Sequence, residues 1–112
     1  MRLKAPALIT DAFRQNKRFV GRLMVLLIRE GPGASLRLGV AAGKIIGGAV
    51  QRNRARRRLR EAFRLNRHLL QGECDIVLLA RSQLASASWQ QVQAELIALA
   101  DKAGLLVRER SS

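Results

Sequence analysis

The residues best suited to chemistry are arginines, and they are crowded. Eight of them (Arg52, Arg54, Arg56, Arg57, Arg58, Arg60, Arg64 and Arg67) fall between positions 52 and 67 against a single acid, Glu61. Arg52, Arg56, Arg60 and Arg64 follow one another at i+4, the spacing that stacks side chains into a slowly turning ridge on a helix. The ridge is costly. Like charges at i, i+4 destabilise a helix by about 0.2–0.5 kcal/mol per pair. Arginines near a helix N-terminus face the positive end of its dipole, at about another 0.3–1 kcal/mol each. A face built only for solubility would alternate lysine with glutamate. Arginine's planar fork matches phosphate and stacks on bases, which an ammonium does not. This pattern points to a polyanionic partner, with Arg52, Asn53, Arg54, Arg56, Arg57, Arg60 and Arg64 as contact residues. Asn53 suits a phosphate, ribose hydroxyl or base edge, or equally a cap at the helix start.

Other chemistry is poorly supported. Gly39 and Gly43-Lys44 resemble a phosphate loop, but the spacing is one residue short and Ile45 replaces the required Ser or Thr. His68, the one histidine, suits a helix C-terminus. Glu61 among Arg57, Arg58 and Arg64 reads as an ion-pair partner. Glu73 and Asp75 have no evident partner in sequence. No metal cluster and no Ser-His-Asp or Cys-His set can be assembled, so no catalytic residue is assigned. Phe63 and Trp89 fit helix core positions, whereas Phe13 or Phe19 could stack on a base.

The elements that must hold these residues come from a chain of 112 residues with net charge +13, enough for one domain with a modest core. The reading is a single domain over 1–112, with its core at about 9–103. The charge excess again asks for a polyanion, nucleic acid before membrane. Cys74 is the only cysteine, which excludes an internal disulfide. The start shows no signal-peptide pattern, and the longest aliphatic run is far too short to span a bilayer. A soluble cytoplasmic protein is expected.

Periodicity predicts a short helix over 6–17 and a strand over 23–29, apolar on both faces. A turn over 30–35 leads to a second strand over 36–42, expected to pair antiparallel with the first. After the glycine-rich 43–48 comes a long helix over 49–70, with Ala55, Leu59, Ala62, Phe63 and Leu69 on one side and Gly72 as its stop. A buried strand over 75–80 follows. Ser88 and Gln91 have capping-box spacing before an amphipathic helix carrying Trp89, Val92, Leu96, Leu99 and Ala103. With two or three strands before the long helix, the order (α-β-β-β-α-β-α at its fullest) is a two-layer α+β sandwich, with the strands flanking the long helix expected to run parallel.

The run Ala49-Val50-x-Arg52-Asn53-Arg54-x-Arg56-Arg57-x-Leu59-Arg60-Glu61-Ala62-Phe63-Arg64 closely resembles the signature helix of the protein subunit of bacterial ribonuclease P. The likeness extends to Phe13-Arg14-Gln15-Asn16-Lys17-Arg18, to Leu36-Arg37-Leu38-Gly39-Val40 and to the strand at 75–81. It implies an α-β sandwich with a left-handed β-α-β crossover, an exception to the usual hand. It implies an enzyme subunit whose RNA partner performs the hydrolysis with magnesium bound mainly by that RNA. The protein would support the catalytic RNA and bind the 5′ leader of precursor tRNA, with no obligate protein partner and no activity alone. Position by position, it assigns Arg52, Asn53, Arg54, Arg56, Arg57, Arg60 and Lys44 to the RNA face. Phe13, Lys17 and Arg18 fall to a leader cleft between the first helix and the sheet. The chain departs from the family at Gly43, Ile45, Gly48, Ile9 and Leu27, where serine, lysine, lysine and two aromatics are common.

Two other readings explain the charge. A ribosomal or other structured-RNA-binding protein accounts for the arginines but not for the extended motif. A major-groove DNA binder lacks a helix-turn-helix partner or zipper heptads.

Overall fold

In a computed structural model, which describes residues 17–107, four strands form one mixed sheet. The expected helix over 6–17, with Phe13, lies outside the described residues apart from Lys17. A short edge strand β1 (Arg18–Val20) turns at Gly21 into β2 (Met24–Arg29). Then come β3 (Leu38–Ala41), helix α1 (Ala49–Asn66), β4 (Asp75–Ala80) and helix α2 (Trp89–Lys102). Short 3-10 turns occupy Lys44–Ile46, Arg67–Leu69 and Ser82–Ser86.

The strand order is β1-β2-β4-β3. β3 and β4 run parallel across α1, as expected. The expected pairing of β2 with β3 does not occur: β4 inserts between them, antiparallel to β2 and in register from Met24↔Ala80 to Arg29↔Asp75. The reason is apolar area. β2 and β4 are six-residue strands buried on nearly every residue, and side by side they fill the middle of the sheet. The four-residue β3 is left to the edge. The segment between β2 and β3 therefore crosses the end of β4 instead of forming a hairpin. Leu36 makes the crossing with φ 59, the only non-glycine residue with positive φ among those described, and its N–H donates to Cys74 O at 2.7 Å.

Strand alternation sorts the side chains. Rows such as Phe19, Leu26, Leu78 and Val40 face the helices and join the core with Leu59, Phe63, Leu96 and Leu99. α1 packs over β3 and β4, and α2 over β2 and β1. The opposite sheet face carries Arg18, Leu27, Val77 and Gly39 in one row and Val20, Val25, Leu79 and Ala41 in the next.

α2 opens on the expected capping box, with Gln91 N donating to Ser88 Oγ at 3.1 Å and Ser88 N to Gln91 Oε1 at 2.8 Å. α1 ends four residues earlier than the expected 70. There the buried Asn66 turns its amide back to Ala62 O (2.8 Å) and across to Gln93 Oε1 (3.0 Å), and the chain tightens into the Arg67–Leu69 turn. Gly72 lies beyond that turn and does not stop the helix. Among the described residues no helix is long and apolar enough to cross a membrane.

Candidate nucleic-acid interface

The interface begins in the loop before α1. Lys44 sits exposed on the Lys44–Ile46 turn. The chain then swings through Gly47 at φ 131, where a Cβ would also meet Gln51 Cβ at 3.2 Å, so only glycine fits comfortably. Gly48 is the N-cap of α1. It offers no side-chain acceptor and no acid occupies the first turn, so the helix starts with its amide dipoles unopposed.

From there α1 has two sides. Ala55, Leu59, Ala62, Phe63 and Asn66 enter the core. Asn53, Arg54, Arg57 and Arg64 are exposed, and Arg52, Arg56 and Arg60 are half-buried on the flank. Asn53, Arg56, Arg57 and Arg60 line a shallow depression together with Glu61. On this surface Arg56 Nη2 donates to Asn53 Oδ1, and Arg64 reaches Glu61 by a paired fork at 3.0 and 2.9 Å. The Arg64 guanidinium holds the Glu61 carboxyl below the usual carboxylate range. Glu61 is thus the ion-pair partner that its neighbours suggested. Asn53 lies in the second turn and is no cap.

Arg58 has a different task. It points off the exposed side and donates to Leu84 O and, at 2.6 Å, to Ala87 O, strapping the Ser82–Ser86 turn onto α1. Ile45 and Val50, 79% and 67% exposed, place aliphatic surface beside the arginines at the helix start.

The second group of expected contacts lies elsewhere. Lys17 pairs with Glu30, and Arg18 is exposed on β1. β1 is the sheet edge under α2, whereas α1 covers the β3–β4 half, so the structure does not gather Lys17 and Arg18 with the arginine helix. Phe13 lies outside the described residues. Phe19 is half-buried and packs against the core.

Sequence reasoning missed Asp75. It is fully buried and accepts from Arg29 Nη1 (2.8 Å), Arg37 Nη2 (2.8 Å), Arg37 Nε (3.0 Å) and the backbone N–H groups of Ser35 and Arg37 (3.2 Å each). Burial pushes its carboxyl up, but the Arg37 side chain, the two N–H donors and Arg29 outweigh burial, and the net direction is down. The signal was present as two arginines at the ends of apolar segments, but only the strand register joins them to Asp75.

The ribonuclease P family profile matches residues 1–104. The chain belongs to the ribonuclease P protein family. That family is the protein component of a tRNA-processing ribonucleoprotein enzyme. The ribonuclease P protein component of Symbiobacterium thermophilum is 35% identical over 109 residues, covering 96% of this chain and 95% of that protein. That of Chloroflexus aggregans is 37% identical over 106 residues, covering 94% and 78%. The solved ribonuclease P protein of Thermotoga maritima superposes with a TM-score of 0.79 at 26% identity, covering 91% of this chain and 96% of the other. The Staphylococcus aureus protein shares the fold at a TM-score of 0.79, with 24% identity over 95% of this chain and 97% of the other.

Proposed function

We propose that this ribonuclease P protein docks on its catalytic RNA through the outward side of α1, and that it contacts the 5′ leader of precursor tRNA along the β1 edge of the sheet. The arginine helix carries the first half. Its apolar side is consumed by the core, its acid is confined to Glu61, and Arg52, Asn53, Arg54, Arg56, Arg57, Arg60 and Arg64 remain on or beside the solvent side with Lys44 at its foot. Guanidinium forks on such a ridge neutralise successive phosphates and release their counterions. The second half rests on Lys17 and Arg18 at the sheet edge, with Phe13 assigned by family resemblance. A single-stranded leader laid on the β1 side would meet cations from Lys17 and Arg18 and an apolar floor from Val20 and Val25.

Hydrolysis belongs to the RNA in this reading, and magnesium bound mainly by that RNA would supply Lewis-acid chemistry there. Among the described residues no group of three or more His, Cys, Asp or Glu could hold a metal ion. Glu61, Asp75 and Glu95 are each engaged by arginine or by backbone N–H donors. The protein's work is electrostatic and positional, and its setting is the cytoplasm.

Reconstitution tests the proposal. The protein alone should cleave no precursor tRNA. Adding it to the cognate RNA at physiological magnesium should restore 5′ processing, and the absence of any gain would refute the role. Co-purification with ribosomal RNA in place of the ribozyme would favour a general structured-RNA-binding protein.

A further inference from the structure

The turn joining β1 to β2 is held by a side chain from the far end of the chain. Glu95, on α2, accepts from three consecutive backbone N–H groups: Arg22 at 2.9 Å on Oε1, and Leu23 and Met24 at 2.7 and 2.9 Å on Oε2. Gly21 lies against that carboxylate so closely that a Cβ would sit 2.5 Å from Glu95 Cδ and 2.6 Å from Oε2. Gly21 does not have positive φ, so its backbone would tolerate alanine; the carboxylate is what excludes a side chain. A third element completes the grip: Arg81, just past β4, donates from Nη1 to Gly21 O at 2.6 Å and from its backbone to Leu23 O at 2.9 Å.

β1 is three residues long, pairs only with β2 and lies at the sheet edge. Three residues of ladder are a weak anchor. Ile28 N–H ties Lys17 O to β2 at 3.0 Å and Gly21 N–H closes the turn on Met24 O at 2.9 Å; Glu95 acts together with these bonds and sets the angle at which the turn joins β1 to β2. A charged acceptor on three donors is strong as well as directional, so it fixes the angle of the turn as well as its attachment. We propose that Glu95, with Gly21 as its seat, is a positioning residue for leader recognition: it sets where the β1 edge presents its cations, while touching no RNA itself. This rests on the leader reading above.

The test is steady-state processing by reconstituted holoenzyme, comparing precursor tRNA carrying a long leader with one trimmed to a single nucleotide. Glu95→Ala should raise KM for the long-leader substrate about tenfold, below the roughly hundredfold that an ångström's misplacement of reacting groups can cost. kcat and the short-leader KM should be held. Glu95→Gln, which keeps one carbonyl acceptor, should recover part of the loss and keeps the test open if the alanine variant folds poorly. Gly21→Ala should reproduce Glu95→Ala by expelling the carboxylate, and the double variant should be no worse than Glu95→Ala alone. Additive losses in that cycle would overturn the proposal. So would an unchanged long-to-short ratio in Glu95→Ala and Glu95→Gln while Arg18→Ala lowers leader preference. If Arg18→Ala also leaves the ratio unchanged, the leader reading itself falls, and this inference with it.

Discussion

Arginine has two fates in this molecule. On α1, Arg54 and Arg57 stand in solvent on a helix that their own repulsion weakens. At the end of the sheet, Arg29, with 6% of its side chain exposed, meets a carboxylate with none exposed, and Arg37 closes the same cluster. Arg58 belongs with the second group although its neighbours in sequence belong with the first. The side chains are identical and the surroundings decide their use. A buried guanidinium is committed to an internal acceptor, because leaving either partner alone costs far more than the pair contributes. An exposed one is left for phosphate. Net charge counts both groups alike, so it overstates the binding surface.

The sharpest way to break this contrast is Asp75→Ala. It removes the acceptor shared by Arg29, Arg37 and two backbone N–H groups and should cost about 3–5 kcal/mol of stability in chemical denaturation, while affinity for RNA per folded molecule stays unchanged. A loss of affinity without loss of stability would erase the distinction between the two groups. The same carboxylate gives the sign of a pH effect. Its pKa is lower in the folded state than in the unfolded chain. Its contribution is therefore fully present above the ordinary aspartate pKa of about 3.9 and is lost as pH falls from there towards the folded value. Acid titration of stability should show this limb in the parent and lack it in Asp75→Ala.

The reverse experiment is Arg54→Ala with Arg57→Ala. RNA affinity should drop by several-fold to about a hundredfold and the salt slope by up to about two units, with stability held or raised by a few tenths of a kcal/mol as like-charge repulsion is relieved. An unchanged salt slope would mean that neither arginine meets a phosphate. Arg58→Ala should fall on the structural side, losing about 1–3 kcal/mol as Ala87 O loses its side-chain donor and Leu84 O keeps only the Ala87 N–H, with the salt slope unaltered. The smallest effect belongs to Arg64→Ala. Its charge is already shared with Glu61, so the slope should change by less than about one unit, and stability should stay close to that of the parent because the pair is solvent-exposed.

Much of this was legible from local pattern. The apolar periodicity of residues 55–63 and the capping box at Ser88 are properties of a few consecutive residues, and both elements form, although α1 stops at Asn66 and leaves Leu69, expected on its core side, in the turn beyond it. The parallel pair across α1 followed from strand-helix-strand order. The neighbours of β2 did not. A turn rich in glycine and proline suggested a hairpin, and nothing within residues 23–42 shows that a strand beginning at Asp75 will displace β3. Asp75 and Glu95 escaped notice for the same reason: their partners lie 38 to 73 residues away and exist only after the sheet and α2 have come together. Within α1, periodicity separated core from surface but could not separate Arg58 from Arg57, because the acceptors of Arg58 come from the turn after β4.

The insertion of β4 between β2 and β3 also bears on how the chain is made. As synthesis proceeds from the N-terminus, β1 and β2 can pair at once, but β3 finds no neighbour until residues 76–79 have emerged. α1 is complete before then, so its arginines leave the ribosome on a chain with an unfinished sheet. Long-range closure of this kind slows folding and prolongs exposure of apolar strand. During that interval the growing chain is a tethered polycation among polyanions, and the first structured RNA it meets can act on it before the domain has closed.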